Sequence, residues 1–284
     1  MTARLIPSLV GHPLIHLGYA YELHSHTLAI EALAHICSFY SPSHKYIDDP
    51  SYTKPSPWSS DVPLEVLQHM SQDSRFDSLT FPSATGGCEN FDTMTSDKEK
   101  ESLMLEYWNS FTVHNLPSQF EAAQRAAVAL VIGSHNKGEN YDFFLVHVLT
   151  SSHALRIVIP KIDKRWHIPL IRQWWLFVVQ TYIAQGLPAI DPGKIHMVDL
   201  KGRDWHWVEK QAVNGKWNMD AHFVKAVRAL KVAKETWGDD YLFFIKAAVH
   251  FAETFNGWGG FGSEEEAKEV HNSAKQSGFV SDSE

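Results

Sequence analysis

Seventeen histidines in 284 residues are the feature of this chain that chemistry has to account for, because imidazole is both a metal ligand and a proton carrier near neutral pH. Three stretches set a histidine on what reads as an inward helical face. In the first, His16 shares a face with Ala20, Leu23, Thr27 and Ala34, and His12 lies one turn earlier at the cap, so both can reach one centre. A histidine cap plus a hydrogen-bonded core histidine explains the same spacing. His24, Glu31 and His35 fall on another face of that helix and are expected to be solvated or to pair locally at i, i+4. In the second, His147 lies over Phe143, Thr150, Ser151 and Ala154, where small residues leave room for a ligand. His153, six residues on, points elsewhere and reads as a structural or supporting residue. In the third, His222 and Lys225 stand three apart over Ala226 and Ala229, a small and polar face. The plain alternative has Lys225 snorkelling to water and His222 pairing with Asp220. The expectation is that His16, His147 and His222 converge on one buried cavity.

The motifs of several other chemistries are missing. Residues 257–262, Gly-Trp-Gly-Gly-Phe-Gly, match GxGxxG formally, but no strand precedes them and an acidic tail follows, so they read as a loop. No phosphate-cradling GxxxxGK[ST], no HExxH, no GxSxG and no Glu-x-x-His of a di-iron bundle occurs. Redox chemistry here would therefore use a metal, the substrate's own electrons, or a cofactor bound by an unfamiliar route.

The elements that must position these residues are helices, since helical periodicity dominates and strand alternation is scarce. The fold is expected to be all-α, one compact multi-helix domain over 1–262 with a long Pro-rich loop, followed by a disordered acidic tail over 263–284. The first helix should start at Gly11-His12-Pro13, where proline loses no helical hydrogen bond, and run to about Tyr40. Five prolines within 41–63 predict an extended surface loop. Helices are expected near 64–70, over 98–115 and 118–133, and as two buried segments over 141–159 and 168–185. Asn218 or Asp220 should cap a helix through about Trp237, which Gly238 ends and which pairs as a hairpin with one reaching Phe255.

Composition narrows the partners. Lys and Arg total 25 against 33 Asp and Glu, with no basic run to track phosphates, so nucleic acid is not expected. The most apolar run, Trp174 to Ile183, is interrupted by Gln180 and falls short of the roughly 20 residues a bilayer requires. Two cysteines in unrelated contexts suit a reducing compartment, and the cytoplasm is the expected location.

At the same three stretches the chain resembles the questin oxidase-like family of fungal polyketide-pathway oxidoreductases. The resemblance is carried by His12-Pro-Leu-Ile-His16-Leu-Gly-Tyr-Ala-Tyr-Glu22, by Asp142-Phe-Phe-Leu-Val-His147-Val-Leu-Thr-Ser-Ser152, by Pro169-Leu-Ile-Arg-Gln-Trp-Trp175 with Tyr182-Ile-Ala184, and by His222-Phe-Val-Lys-Ala-Val-Arg-Ala-Leu230. Together these span most of residues 11–255. The resemblance implies an α-helical oxygenase that opens the ring of an anthraquinone-like polyketide by Baeyer-Villiger-like or dioxygenase-like use of O2. It implies no flavin, and NADPH only to reduce the substrate beforehand. Some members look cofactor-free, while at least one similar enzyme holds non-haem iron with four histidines and a carboxylated lysine. Carried over, His12, His16, His147 and His222 are metal ligands or acid-base groups, and Lys225 matches the carboxylated lysine. The chemistry is coherent, since burial disfavours the ammonium and the neutral amine adds CO2 to give an anionic oxygen ligand. The family carries a further helical segment with its own histidines before the His-Pro motif, so a ligand and a pocket wall are expected to be lacking here.

The leading expectation is an oxidoreductase, a monooxygenase or dioxygenase of secondary metabolism, taking an aromatic polyketide and O2, with Fe(II) as the candidate cofactor. The competing class is a catalytically inactive ligand-binding or interaction protein on the same scaffold. A metal-free hydratase or cyclase with a histidine base is the third.

Overall fold

A computed structural model describes residues 11–38, 41–83, 86–114, 116–135 and 139–262. The tail expected over 263–284 lies outside the described residues. Chain order gives α1 (His12–Glu22), α2 (His26–Ser38), α3 (His44–Asp48), α4 (Pro63–Ser71), α5 (Cys88–Ser96), α6 (Lys98–Ser110), α7 (Leu116–Val128), β1 (Tyr141–Asp142), α8 (Leu145–Val158), α9 (His167–Ala184), α10 (Gly193–His196), α11 (Trp205–Asn214), α12 (Ala221–Trp237), α13 (Phe243–Thr254) and β2 (Trp258–Gly259). The architecture is helical, as composition and periodicity predict. No helix among the described residues is long and apolar enough to cross a membrane.

The centre is α8, which packs against α1, α7, α9 and α12. Its residues from Leu145 to Leu155 are all buried, His147 and His153 among them. The neighbouring α9 buries almost its whole length after the first turn, from Leu170 to Ala184, apart from Arg172. Apolar side chains from every helix join one core cluster around this pair. Burial at about 25 cal/mol per Å² of apolar surface is what holds such a layer of helices together.

Several local features differ from the sequence reading: α5 and α11 have no counterpart in it, the helix expected over 98–115 ends at Ser110, and the one expected from 141 starts at Leu145 after a short strand. The first helix does not run to Tyr40 but breaks after Glu22, because His24 adopts a left-handed conformation (φ 52°) and the Ser25 hydroxyl accepts from Leu28 N at 3.3 Å, capping a new helix. α2 therefore folds back along α1. The Pro-rich segment is not wholly extended, since α3 and a 3-10 turn at Pro50–Tyr52 interrupt it before Ser60 bridges to Phe111.

Close approach of α1 to α8 depends on Gly18, where an added Cβ would lie 2.7 Å from the Ala154 Cβ and 2.8 Å from its Cα. At the other end of α8, β1 and β2 pair in parallel with Tyr141 opposite Trp258 and Asp142 opposite Gly259. The Gly-rich segment thus contains a short strand laid against the entry to α8. It approaches so closely that a Cβ at Gly260 would fall 2.4 Å from Asp142 Oδ2. Only glycine leaves that space.

Candidate functional site

Three helices present their first turns to one point. His12 is the first residue of α1, His147 the third of α8 and His222 the second of α12. Two carboxylates fix these entries. Asp142 Oδ1 accepts from Phe144 N and Leu145 N at 2.8 and 2.7 Å, ahead of His147. Asp220 Oδ1 accepts from His222 N and Phe223 N at 2.9 Å each, and its other oxygen accepts from Trp258 Nε1 at 2.8 Å. Asp220 therefore binds the backbone of His222, which leaves the imidazole available.

One ring nitrogen from each of His12, His147 and His222 lies within 4.8 Å of the other two. His147 Nδ1–H donates to the Phe143 carbonyl at 2.7 Å, which leaves its Nε2 lone pair pointing the other way. That Nε2 faces His12 Nε2 at 3.1 Å. His222 Nε2 is buried with no hydrogen-bond partner. Two nitrogens bound to one ion at about 2.1 Å and set 3.1 Å apart subtend about 95°, an ordinary coordination angle. The donor set thus fits a divalent transition ion, and imidazole nitrogen suits iron, zinc or copper.

Electrostatics keep these rings neutral, the form a metal requires. Burial drives His12 far below its ordinary value, with His147 and Lys225 adding to the shift. His147 is lowered by burial, His222 and Lys225 against the pull of the Phe143 carbonyl. His222 is pushed down to about 2 by burial, Lys225 and His12. Lys225, on the same face of α12, is itself brought down to about 8 by burial, with Asp220 opposing. Its amine is thus neutral in a substantial fraction at mildly alkaline pH.

Three helix N-termini meeting at one point make a field that favours negative charge. No Asp or Glu belongs to the three-imidazole group. An anionic carbamate on Lys225 would supply what is missing for a dication there.

His16 does not share this group. Its ring centroid is 5.8 Å from that of His12, and its Nδ1 faces Glu31 Oε1 at 3.4 Å. Of the expected set His12, His16, His147 and His222, the close group is therefore His12, His147 and His222, while His16 sits one turn further along α1 and looks toward α2. Burial lowers His16, with Glu31 opposing and Lys225 and His35 adding to the shift. His153 points into a separate ion-pair cluster, 3.4 Å from Glu22 Oε2, which also receives Arg228 Nε at 3.2 Å.

Aromatic side chains that the sequence reading did not assign flank the histidines. The Phe143 ring lies 4.6 Å from that of His222 and 4.9 Å from that of His147. Phe261 lies 5.2 Å from Phe143, and Trp258 lies 6.2 Å from His222. All three aromatics are half-buried. A separate apolar cavity of about 480 Å³ opens between α1, α2 and the ends of α8 and α9, lined by Leu17, Tyr21, Leu33, Ile36 and Leu170, and holds none of the three imidazoles.

A helical chain with imidazoles gathered at helix starts beside a half-buried lysine is the kind of scaffold the sequence motifs resemble. The chain belongs to the questin oxidase-like family, whose model matches residues 1–230. It is 26% identical over 235 residues to a Baeyer-Villiger oxidase of Pestalotiopsis microspora, a match covering 78% of this chain and 52% of that protein. The chain spans about half the length of this curated relative.

Proposed function

We propose that this chain forms the metal-binding and substrate-binding body of an O2-dependent oxidoreductase that opens or expands a ring of an electron-rich aromatic polyketide. Family membership and similarity to a Baeyer-Villiger oxidase support the reaction class. The single observation that carries the site is the 3.1 Å approach of His147 Nε2 to His12 Nε2 beside the unpartnered His222 Nε2. In this reading His12, His147 and His222, with the carbamate of Lys225, would hold Fe(II), and His16 stands at the margin. Iron held there would supply one-electron chemistry toward O2. The chain's own residues do the rest. Phe143, Trp258 and Phe261 offer ring faces to a flat aromatic substrate, stacking that is worth about 0.5–1.5 kcal/mol per pair. The Phe143 carbonyl fixes the His147 tautomer, and the helix N-termini stabilise a substrate phenolate.

The same field supports a metal-free version of the reaction. A reduced substrate bound as its phenolate gives two electrons and two protons to O2, which then stands at the peroxide level; as the O–O bond breaks, one oxygen atom inserts into a ring C–C bond and takes two further electrons from it, and the other leaves as water. Prior NADPH-dependent reduction by a separate enzyme would supply that substrate.

The test is anaerobic purification with elemental analysis, followed by O2 uptake with a reduced anthraquinone. The expected result is bound iron, and O2 consumption that is lost in His147→Ala. Turnover without metal in the native chain selects the substrate-driven version. Neither metal nor turnover, in a chain that still binds the anthraquinone, supports an inactive ligand-binding homologue.

A further inference from the structure

The α1–α2 hairpin carries a second group of ligand atoms apart from the three imidazoles. His16, Glu31 and His35 each bring one donor atom, all within 4.8 Å of one another. Glu31 Oε1 stands 3.4 Å from His16 Nδ1 and 3.8 Å from His35 Nε2. Both separations exceed the roughly 2.7–3.2 Å of an N–H···O hydrogen bond. His16 Nδ1 is moreover buried without a hydrogen-bond partner. The same separations are natural edges of a coordination shell. Donors held at about 2.1 Å from one ion lie about 3.4 Å apart at the tetrahedral angle and about 3.8 Å apart near 130°.

We propose that His16, Glu31 and His35 bind a second divalent first-row transition ion. Two imidazoles and one carboxylate suit Fe(II), Co(II) or Zn(II) better than the all-oxygen ions Mg(II) and Ca(II). Glu31 and His35 are four residues apart on one face of α2, so helix geometry presents both donors together before any ion arrives. The Glu31 side chain is 46% exposed, which leaves water free to fill the remaining positions. The carboxylate also gives this group the negative charge that the first lacks. The site rests on hairpin geometry alone and stands apart from the oxidase reading.

The test uses the full chain, stripped with a chelator and dialysed against micromolar Zn(II), with metal counted by plasma mass spectrometry. Far-UV circular dichroism checks that each variant is folded. The expected result is two ions in the native chain and one in either Glu31→Gln or His35→Ala. His147→Ala should keep the hairpin ion and lose the other. A single ion that Glu31→Gln leaves in place overturns the proposal while the three-imidazole centre stands. A single ion that Glu31→Gln merely binds more weakly and that His147→Ala removes belongs to the three-imidazole group and overturns the proposal as well. A single ion lost in Glu31→Gln but kept in His147→Ala supports the proposal and removes the metal from the oxidase reading. No ion in any form overturns both.

Discussion

Substituting Gly18 with alanine tests how the fold positions the site. In an unhindered helix this change stabilises by about 0.5–1 kcal/mol. Here the new methyl meets the Ala154 Cβ at 2.7 Å and its Cα at 2.8 Å, against the roughly 3.5–4.0 Å of carbon atoms in contact. Neither neighbour can rotate away, so α1 and α8 must part by about 1 Å, at the roughly 1–3 kcal/mol typical of overpacking. The net expectation is a loss of about 1–2 kcal/mol, or roughly 2–4 °C in Tm per kcal/mol for a chain of this size. Parting the helices also widens the 3.1 Å approach of His12 to His147, so Zn(II) affinity at the three-imidazole group should fall about 10–100-fold, as when a supporting contact is lost. Urea unfolding followed by circular dichroism, with an unchanged m-value, and competition with a chelator give the two numbers. Ala154→Gly in the same chain removes the nearer atom but leaves the backbone Cα, so the double-mutant cycle should show a favourable coupling of about 1 kcal/mol. A Gly18→Ala protein as stable as the native one, or a cycle with no coupling, would refute the close-contact argument.

Lys225→Ala should lose the ion at the three-imidazole group and O2 uptake while keeping helical content, because Ala226 and Ala229 already pack fully buried beneath it; full activity in this variant would make Lys225 a bystander. Burial raises Asp142 to about 7 against the backbone donors Leu145 and Phe144. A folded value above the unfolded one near 3.9 means the native state holds the extra proton, so this group's contribution falls as pH rises from about 4 through about 7. Asp142→Asn should remove that slope from the urea midpoints, and parallel pH profiles would count against it. For Glu22, burial works to raise the value, but hydrogen bonds from His153 and Arg228 outweigh it and hold the group down to about 2. Its contribution is present above the unfolded value near 4.3 and is lost as pH falls toward 2, so Glu22→Gln should flatten acid unfolding in that window. Phe261→Ala should raise the KM for a flat aromatic substrate about tenfold with metal content unchanged; an unaltered KM would place the substrate elsewhere.

Much of the fold is legible because punctuation and pattern agree. Pro13 opens α1, Asp220 caps α12 and Gly238 ends it, and the long apolar runs become the buried α8 and α9. The error in the first helix has a physical source. Ser25 is a good N-cap residue, but the apolar stripe continues in phase across Leu23 and Ala34, and periodicity alone does not register a reversal. The reversal rests on a left-handed His24 and one hydroxyl hydrogen bond, terms of about 1 kcal/mol that tertiary packing of α2 on α1 decides.

That one reversal accounts for what the sequence reading of the site misses. On an unbroken helix Glu31 would stand about 22 Å along the axis from His16, at about 1.5 Å per residue, and could only be a solvated residue on another face. Folded into a hairpin, the same two side chains are 3.4 Å apart. The three clustered imidazoles are legible for the opposite reason. His12 and His222 sit within two residues of a helix start that the sequence marks with Gly11-His-Pro or Asp220, and His147 falls early in the segment expected over 141–159, so local rules place the rings before any packing is known. The aromatic wall obeys no local rule, because Trp258 and Phe261 reach His222 and Phe143 through a two-residue parallel pairing across more than a hundred residues. Glycine there serves close approach of backbone to the Asp142 cap, rather than a turn around a pyrophosphate, and only the pairing distinguishes the two uses of the same residues.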